Sequence, residues 1–301
     1  MKTLLIINPK AGIQKKKLGE LKEKLFLEEE NQLEREIKTF FEKHKLHLDI
    51  KRTKKAGDAT RIAKTSKDYD AIIAAGGDGT VNEVINGLEN YETKIGIIPL
   101  GSENVMAKEL KIPLKVKRAC EIIIKGKTKD VDVGLANKKK FLFVSGIGFD
   151  ANAITNVQPK IKQILGKHSY AVAALKTLFE HNPEELIITI NKKEVVKGYF
   201  VIISNTKRYG GKLMLTPDAE LDDGFLDLCV FKNKDIWSMI KYLLSARAGQ
   251  IKKIKDIEHY KIKTAHIKSK KKVLFHTDAE IGGTTPVNIK VLPRQIKLIV
   301  P

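Results

Sequence analysis

Three glycines and an aspartate, Gly76-Gly77-Asp78-Gly79, stand between the apolar run Asp70–Ala75 and the segment Thr80-Val81-Asn82-Glu83. Glycines at such a point let the backbone turn sharply and approach a ligand closely. Val81, Val84, Ile85 and Leu88 fall on one helical face, so a strand is expected to run through the loop into a helix. Thr80 and Glu83 have capping-box spacing, which would fix the helix start. A helix N-terminus reached through a glycine loop receives anions, because its first N–H groups point outward. Asp78 is the odd residue. A carboxylate repels a phosphate unless a cation lies between them, so the combination points to phosphate with Mg²⁺, which favours a few carboxylates and water. The plain alternative is a tight strand-to-helix turn. No Gly-Lys-Ser/Thr follows at Walker A spacing, so that loop is excluded.

The elements that must position this loop alternate as in parallel α/β proteins. Strands are expected at Thr3–Ile7, Leu48–Thr53, Asp70–Ala75 and Lys94–Leu100, and helices at about 15–45, Asp58–Ser66, after each glycine loop, and at about 115–125. From about Lys129 the pattern turns to β. Short apolar runs at Val131–Leu135, Phe141–Ser145, Leu186–Ile190, Tyr199–Ser204 and Phe225–Phe231 alternate with turn residues such as Asp223-Gly224. Helices are expected at about 160–181 and 234–247, and last strands at 257–263, 272–277, 286–292 and 296–300. The reading is an α/β domain over 1–128 followed by a β-rich domain over 129–301, whose last strand could return to the first domain.

Composition narrows the classes. The 301 residues are 42% apolar, enough for a real core, and no run approaches the ~20 residues of a membrane span. Two cysteines without metal-ligand spacing leave a reducing compartment as the expectation, hence a cytoplasmic protein. The formal charge of +20 calls for an anionic partner. Lysine runs at 15–17, 138–140 and 270–272 are solvated faces or docking points for anionic headgroups. A nucleic-acid-binding module is disfavoured, because the aromatics are only 6% and do not interleave with the lysines. Gly146-x-Gly148-x-x-Ala151 lacks the downstream acid of a dinucleotide fingerprint.

The string GGDGTVNE resembles the signature of the diacylglycerol kinase catalytic domain, shared by bacterial lipid kinases, sphingosine kinases and ceramide kinases. Further segments resemble that family in order. They are Asn8-Pro9-Lys10-Ala11-Gly12, Thr53 with Ala56-Gly57-Asp58-Ala59, and Pro99-Leu100-Gly101-Ser102-Glu103-Asn104. Gly146-Ile147-Gly148-Phe149-Asp150-Ala151 follows, then Gly210-Gly211 with Pro217-Asp218-Ala219 and Asp222-Asp223-Gly224, and finally Thr277-Asp278-Ala279-Glu280. The resemblance implies an NAD-kinase-like α/β domain followed by a β-sandwich-like domain, and transfer of the ATP γ-phosphate to diacylglycerol or a related lipid alcohol.

Residue roles follow from the resemblance. Gly76, Gly77, Asp78, Gly79 and Thr80 would hold the ATP phosphates, with nucleotide contacts extended to Asn8, Thr53, Asn82, Glu83, Gly101 and Ser102. Asp78 would hold Mg²⁺ through water and act in catalysis. Glu280 would be the general base that takes the proton of the lipid hydroxyl. Glu220, Asp223 and Phe225 occupy positions resembling a second, structural Mg²⁺ site, and Asp132 matches an acid of the Mg²⁺-linked network. Two departures stand out: Ala279 replaces the usual Gly, and Val105 replaces the Asp that commonly follows Asn104. Sphingoid-base kinases and NAD kinases are the competing enzyme readings. The expected partner is a neutral lipid at an anionic membrane surface, with peripheral attachment, no nucleic acid, and a homodimer allowed.

Overall fold

A computed structural model describes residues 2–11, 20–148, 183–209 and 213–301. Gly12, the lysine run at 15–17, Phe149-Asp150-Ala151, the helix expected at 160–181 and Gly210-Gly211 lie outside the described residues. The chain divides into two compact units, Met1–Val131 with Gln295–Pro301, and Asp132–Arg294.

In the first unit strands and helices alternate: β1 (Thr3–Ile7), α1 (Glu20–Lys43), β2 (Leu48–Arg52), α2 (Asp58–Lys64), β3 (Ala71–Gly76), α3 (Asp78–Gly87) and β4 (Lys94–Pro99). Helices α4 (Val105–Glu109) and α5 (Val116–Lys125) follow. The strands are parallel in the order β2-β1-β3-β4, and Lys297-Leu298 from the chain's end pair in parallel beside β4. Every residue of β1 and β3 is buried, as in a sheet covered on both faces. The chain leaves β1 to one side and returns on the other. Ligands of such sheets bind where the order reverses, outside the carboxyl ends of the strands. The loops after β1 and β3 form that crevice.

The second unit is antiparallel. Its strands are β5 (Thr128–Ala136), which starts in the first unit, β6 (Lys139–Phe141), β7 (Val144–Ile147), β8 (Leu186–Ile190), β9 (Glu194–Gly198), β10 (Phe200–Ser204), β11 (Arg208–Tyr209), β12 (Leu213–Met214) and β13 (Leu226–Phe231). After α6 (Ile236–Arg247) come β14 (Ile257–Ile262), β15 (Thr264–Ser269), β16 (Leu274–Thr277), β17 (Glu280–Thr284) and β18 (Val287–Ile299), which ends in the first unit. One sheet runs β14-β13-β10-β7-β16-β17. On the other, β15 pairs with both β8 and the start of β18, and β8 pairs with β9. Alternate residues of the two sheets, among them Ile188, Ile203, Leu228, Ile267 and Phe275, share one apolar core. The fold is α/β plus a β-sandwich-like domain.

Three differences from the sequence expectations have physical causes. The run Phe141–Ser145 is split between β6 and β7, because the amides of Leu142, Phe143 and Val144 all donate to the Asp278 carboxylate. The strands expected at 286–292 and 296–300 are one strand, β18, which carries Arg294 at φ 47. Strands β9, β11, β12, β15 and β17 were not expected: β9 is largely exposed and charged, β11 and β12 have two residues each, and a single residue separates β15 from β14.

Gly134 in β5 lies opposite Phe141 in β6, and a Cβ there would sit 2.1 Å from Phe141 Cζ. Gly134→Ala is therefore expected to force the buried ring out of place and destabilise the fold by about 1–3 kcal/mol, read as a lower urea midpoint.

Candidate active site

Two glycine loops touch backbone to backbone. A Cβ on Gly101 would lie 2.4 Å from Gly77 Cα, and one on Gly76 would lie 2.3 Å from Thr80 Oγ1. Only residues without side chains allow this approach. The second loop is held by Asn104, in the left-handed region at φ 49: its Oδ1 accepts from Gly101 N–H at 2.9 Å and its Nδ2 donates to Gly101 O at 2.7 Å. Asp78 begins α3 and its Oδ1 accepts from the Met106 amide at 3.2 Å, which ties the first loop to the start of α4. Burial pushes the Asp78 carboxyl up from its ordinary value, against the Val105 and Met106 amides and Lys108. Glu103, which pairs with Lys108, adds to the upward push.

Beside the loops, at the crevice between β1 and β3, lies a cleft of about 270 Å³. It is lined by Asn8, Lys10, Thr53, Lys54, Lys55, Ala56, Ala59, Gly79, Thr80 and Glu83. Asn8 Nδ2 donates to Thr80 Oγ1 at 3.4 Å, joining the end of β1 to α3. Three ammonium groups and the first turn of a helix on one cleft suit a polyanion. The turn carrying Lys54 and Lys55 is set by Asp58, whose Oδ2 accepts both of their amides at 2.9 and 3.1 Å. Those two amides hold the Asp58 carboxyl below the ordinary range.

The expected capping box is not formed. Helix α3 starts at Asp78 with Gly77 as its N-cap and no side-chain cap, so Thr80 is already inside the helix. Glu83 instead reaches α2, accepting from Gly57 N–H at 3.0 Å and Ala59 N–H at 3.1 Å. Orphan amides at the start of α2 drew the carboxylate away from its own helix. Asn82 is buried and its Oδ1 accepts from Asn86 at 2.6 Å, so its side chain does not line the cleft. Ser102 is exposed and also outside it.

The second unit carries a cavity of about 330 Å³ lined by Asp132, Asp222, Asp223, Gly224, Phe225, Lys263, Pro293 and Arg294. Asp132 is fully buried. Its oxygens accept from the amides of Gly224 and Arg294, both at 2.7 Å, which fixes the Asp-Gly turn and the left-handed residue of β18. The Asp223 carboxylate accepts from Phe225 N–H at 3.0 Å and pairs with the Lys261 ammonium. Glu220 is exposed. Of the residues expected at the second ion site, where Glu220 and Phe225 would offer backbone carbonyls, Asp223 and Phe225 line this cavity together with Asp132, the acid expected of the Mg²⁺-linked network, and Glu220 does not line it. Among the described residues, no three His, Cys, Asp or Glu side chains are grouped to hold a metal ion.

Glu280 opens β17 and is exposed. The turn before it is built by Asp278, whose carboxylate accepts the amides of Leu142, Phe143 and Val144 at 2.8, 2.9 and 2.9 Å. Burial pushes the Asp278 carboxyl up to about 6, against the three amides that favour its ionised form. Asp278 and Ala279 have φ of 47 and 66, so Ala279, at the position of the family's usual Gly, is left-handed.

Comparisons with known proteins cover both halves of the chain. The pattern of the diacylglycerol kinase catalytic domain matches residues 2–136, and that of the YegS C-terminal NAD kinase beta sandwich-like domain matches residues 144–300. The chain is 32% identical over 253 residues to a diacylglycerol kinase of Bacillus subtilis (strain 168), covering 82% of this chain and 83% of the relative. It belongs to the diacylglycerol kinase family. A diacylglycerol kinase of Staphylococcus carnosus (strain TM300) is 30% identical, covering 83% of each chain. A crystal structure of a Bacillus anthracis str. Sterne diacylglycerol kinase superimposes with a TM-score of 0.76 at 30% identity, covering 100% of this chain and 97% of that one.

As a member of this family the protein is a lipid kinase, a transferase. Its cleft shows what motif reading passed over. Lys54 and Lys55 lie in a charge run that looks like any solvated face, and only their convergence with Lys10 on one cleft distinguishes them. Asn104 and Asp278 each fall within a motif segment, and in the fold Asn104 clamps the Gly101 amide and carbonyl while Asp278 clamps three backbone amides.

Asp278→Asn would turn an NH₂ toward one of three amides and leave it without an acceptor, which costs about 1–3 kcal/mol. Ala279→Gly, by relieving a left-handed residue, is expected to stabilise by roughly 1 kcal/mol. Thermal melts of both variants should move in opposite directions.

Proposed function

We propose that this lipid kinase transfers the γ-phosphate of ATP to the free hydroxyl of diacylglycerol. The observation that carries the reading is the lysine-lined cleft at the reversal point of the parallel sheet, with the glycine loop and first turn of α3 at its wall. Lys10, Lys54 and Lys55 would neutralise the phosphates, while Gly79 and Thr80 bring backbone close to them. Asn8 and Thr53, at the ends of β1 and β2, would set the nucleotide's position. Mg²⁺ carried by the nucleotide would spread charge from the transferring group, with Asp78 as the loop's carboxylate beside it.

Phosphoryl transfer asks little covalent chemistry of a protein beyond positioning, charge neutralisation and removal of one proton. A lipid primary hydroxyl is a poor nucleophile until a base accepts that proton. Glu280 is the group we assign to it, as an exposed carboxylate on a turn held rigid by Asp278. The hydroxyl oxygen bonds to the γ-phosphorus, the bond to the β-phosphate oxygen breaks, and ADP leaves with the electron pair. No helix among the described residues is long and apolar enough to cross a membrane. Access to a bilayer-held substrate would then be peripheral and aided by the net charge of +20.

Labelled ATP offered with diacylglycerol, a sphingoid base, ceramide and NAD in parallel should give labelled phosphatidate. Label in a sphingoid base as well would show a wider acceptor range, and Val105→Asp assayed on both lipids would test whether Val105 is its cause. Labelled NADP without labelled lipid would overturn the proposal. Glu280→Gln is expected to retain ATP affinity and to lose transfer by at least ~10²-fold, as for loss of a general base. A variant that binds ATP poorly but still turns over would remove Glu280 from this role.

A further inference from the structure

Helix α6 shows two unlike faces. Tyr242 and Ala246 are buried and hold it to the second unit, while Trp237 is 77% exposed, Leu244 62%, Leu243 54% and Ile240 37%. Trp237, Ile240 and Leu244 are spaced i, i+3, i+7, so they form one stripe turned away from the packing face. Water-facing apolar side chains of this size on adjacent turns mark an interaction surface rather than chance exposure. Asp235 caps the helix, accepting from Ser238 N–H at 3.0 Å, which makes α6 a well-started element and not a frayed one.

The charges around the stripe decide its occupant. Over 234–256 there are six basic residues (Lys234, Lys241, Arg247, Lys252, Lys253, Lys255) against two acidic ones, Asp235 and Asp256. Asp235 is spent on the cap, and Asp256 on Lys241 at 2.9 Å. Lys252 pairs with Asp218. Arg247, Lys253 and Lys255 are exposed and take part in no ion pair described among these residues. A second copy of this chain would have to bring the same positive rim against itself. An anionic bilayer matches both the apolar stripe and the rim, and a tryptophan is a side chain suited to the interfacial zone.

We propose that α6 is the membrane-docking element, laid in the plane of an anionic bilayer with Trp237, Ile240 and Leu244 in the headgroup–acyl boundary. The inference rests on the lipid-kinase reading only for the need to reach a bilayer, and its test does not depend on turnover. Trp237 is the only tryptophan of the chain, so its fluorescence reports the site directly.

The experiment uses the full chain with vesicles of pure phosphatidylcholine or phosphatidylcholine with phosphatidylglycerol. Trp237 emission should shift to shorter wavelength with the anionic vesicles, and brominated acyl chains should quench it. Ile240→Glu with Leu244→Glu should weaken vesicle co-sedimentation by at least about tenfold, as expected for two apolar side chains kept from leaving water. Circular dichroism should be unchanged, since both side chains face solvent, and transfer to a short-chain, water-dispersed diacylglycerol should persist. A Trp237 emission unmoved by vesicles that nevertheless bind the protein would overturn the proposal. So would vesicle binding unaffected by the double substitution. A concentration-dependent dimer abolished by that substitution would give the surface to a second copy instead. Loss of transfer to every lipid with intact vesicle docking would instead strike the lipid-kinase reading alone.

Discussion

The contact between Gly77 and Gly101 is the constraint on which the nucleotide-side site depends. Two loops that follow neighbouring parallel strands can meet backbone to backbone only where neither carries a Cβ. Once they meet, the Asp78 carboxylate can bond the Met106 amide and Asn104 can close on Gly101 from both sides. The first turn of α3 is thereby aimed at the crevice where the sheet order reverses. Hydrophobic burial in β1 and β3 holds the strands, but the loops owe their shape to this polar clamp.

The same device recurs in the second unit with carboxylates. Asp132 and Asp278 are each spent on backbone amides, two for the first and three for the second. Burying a carboxylate is costly unless its oxygens are satisfied, and amides that the strands do not use supply the partners. Each acid thereby fixes a turn: Asp132 the Asp223-Gly224 turn, Asp278 the turn that presents Glu280. What Asp132 and Asp278 bond is thus backbone, and the Lys261 ammonium lies next to Asp223.

The alternation of strands and helices in the first unit was legible because fully buried strands and amphipathic helices leave local periodic marks. The glycine loop was legible for the same local reason. The clamps were not, since Asp278 meets Leu142 across 136 residues and Asp132 meets Arg294 across 162. The family resemblance gave Asp132 a place in the Mg²⁺-linked network and Asp278 only a place in a motif; the fold shows which amides they hold. The capping-box reading of Thr80 and Glu83 failed because local spacing is blind to the amides of α2, which compete for the same carboxylate. Lys54 and Lys55 were hidden by abundance, in a chain with 56 basic residues.

Titration calorimetry of a non-hydrolysable ATP analogue against the wild type and Gly101→Ala tests the central claim most directly. The added methyl group meets Gly77 Cα and nothing in the apolar core, so the variant should fold. With the loops pushed apart, affinity for the analogue should fall by roughly tenfold or more, in line with the cost of displacing a positioned site by an ångström. A folded Gly101→Ala protein that binds the analogue as tightly as the wild type would contradict the account.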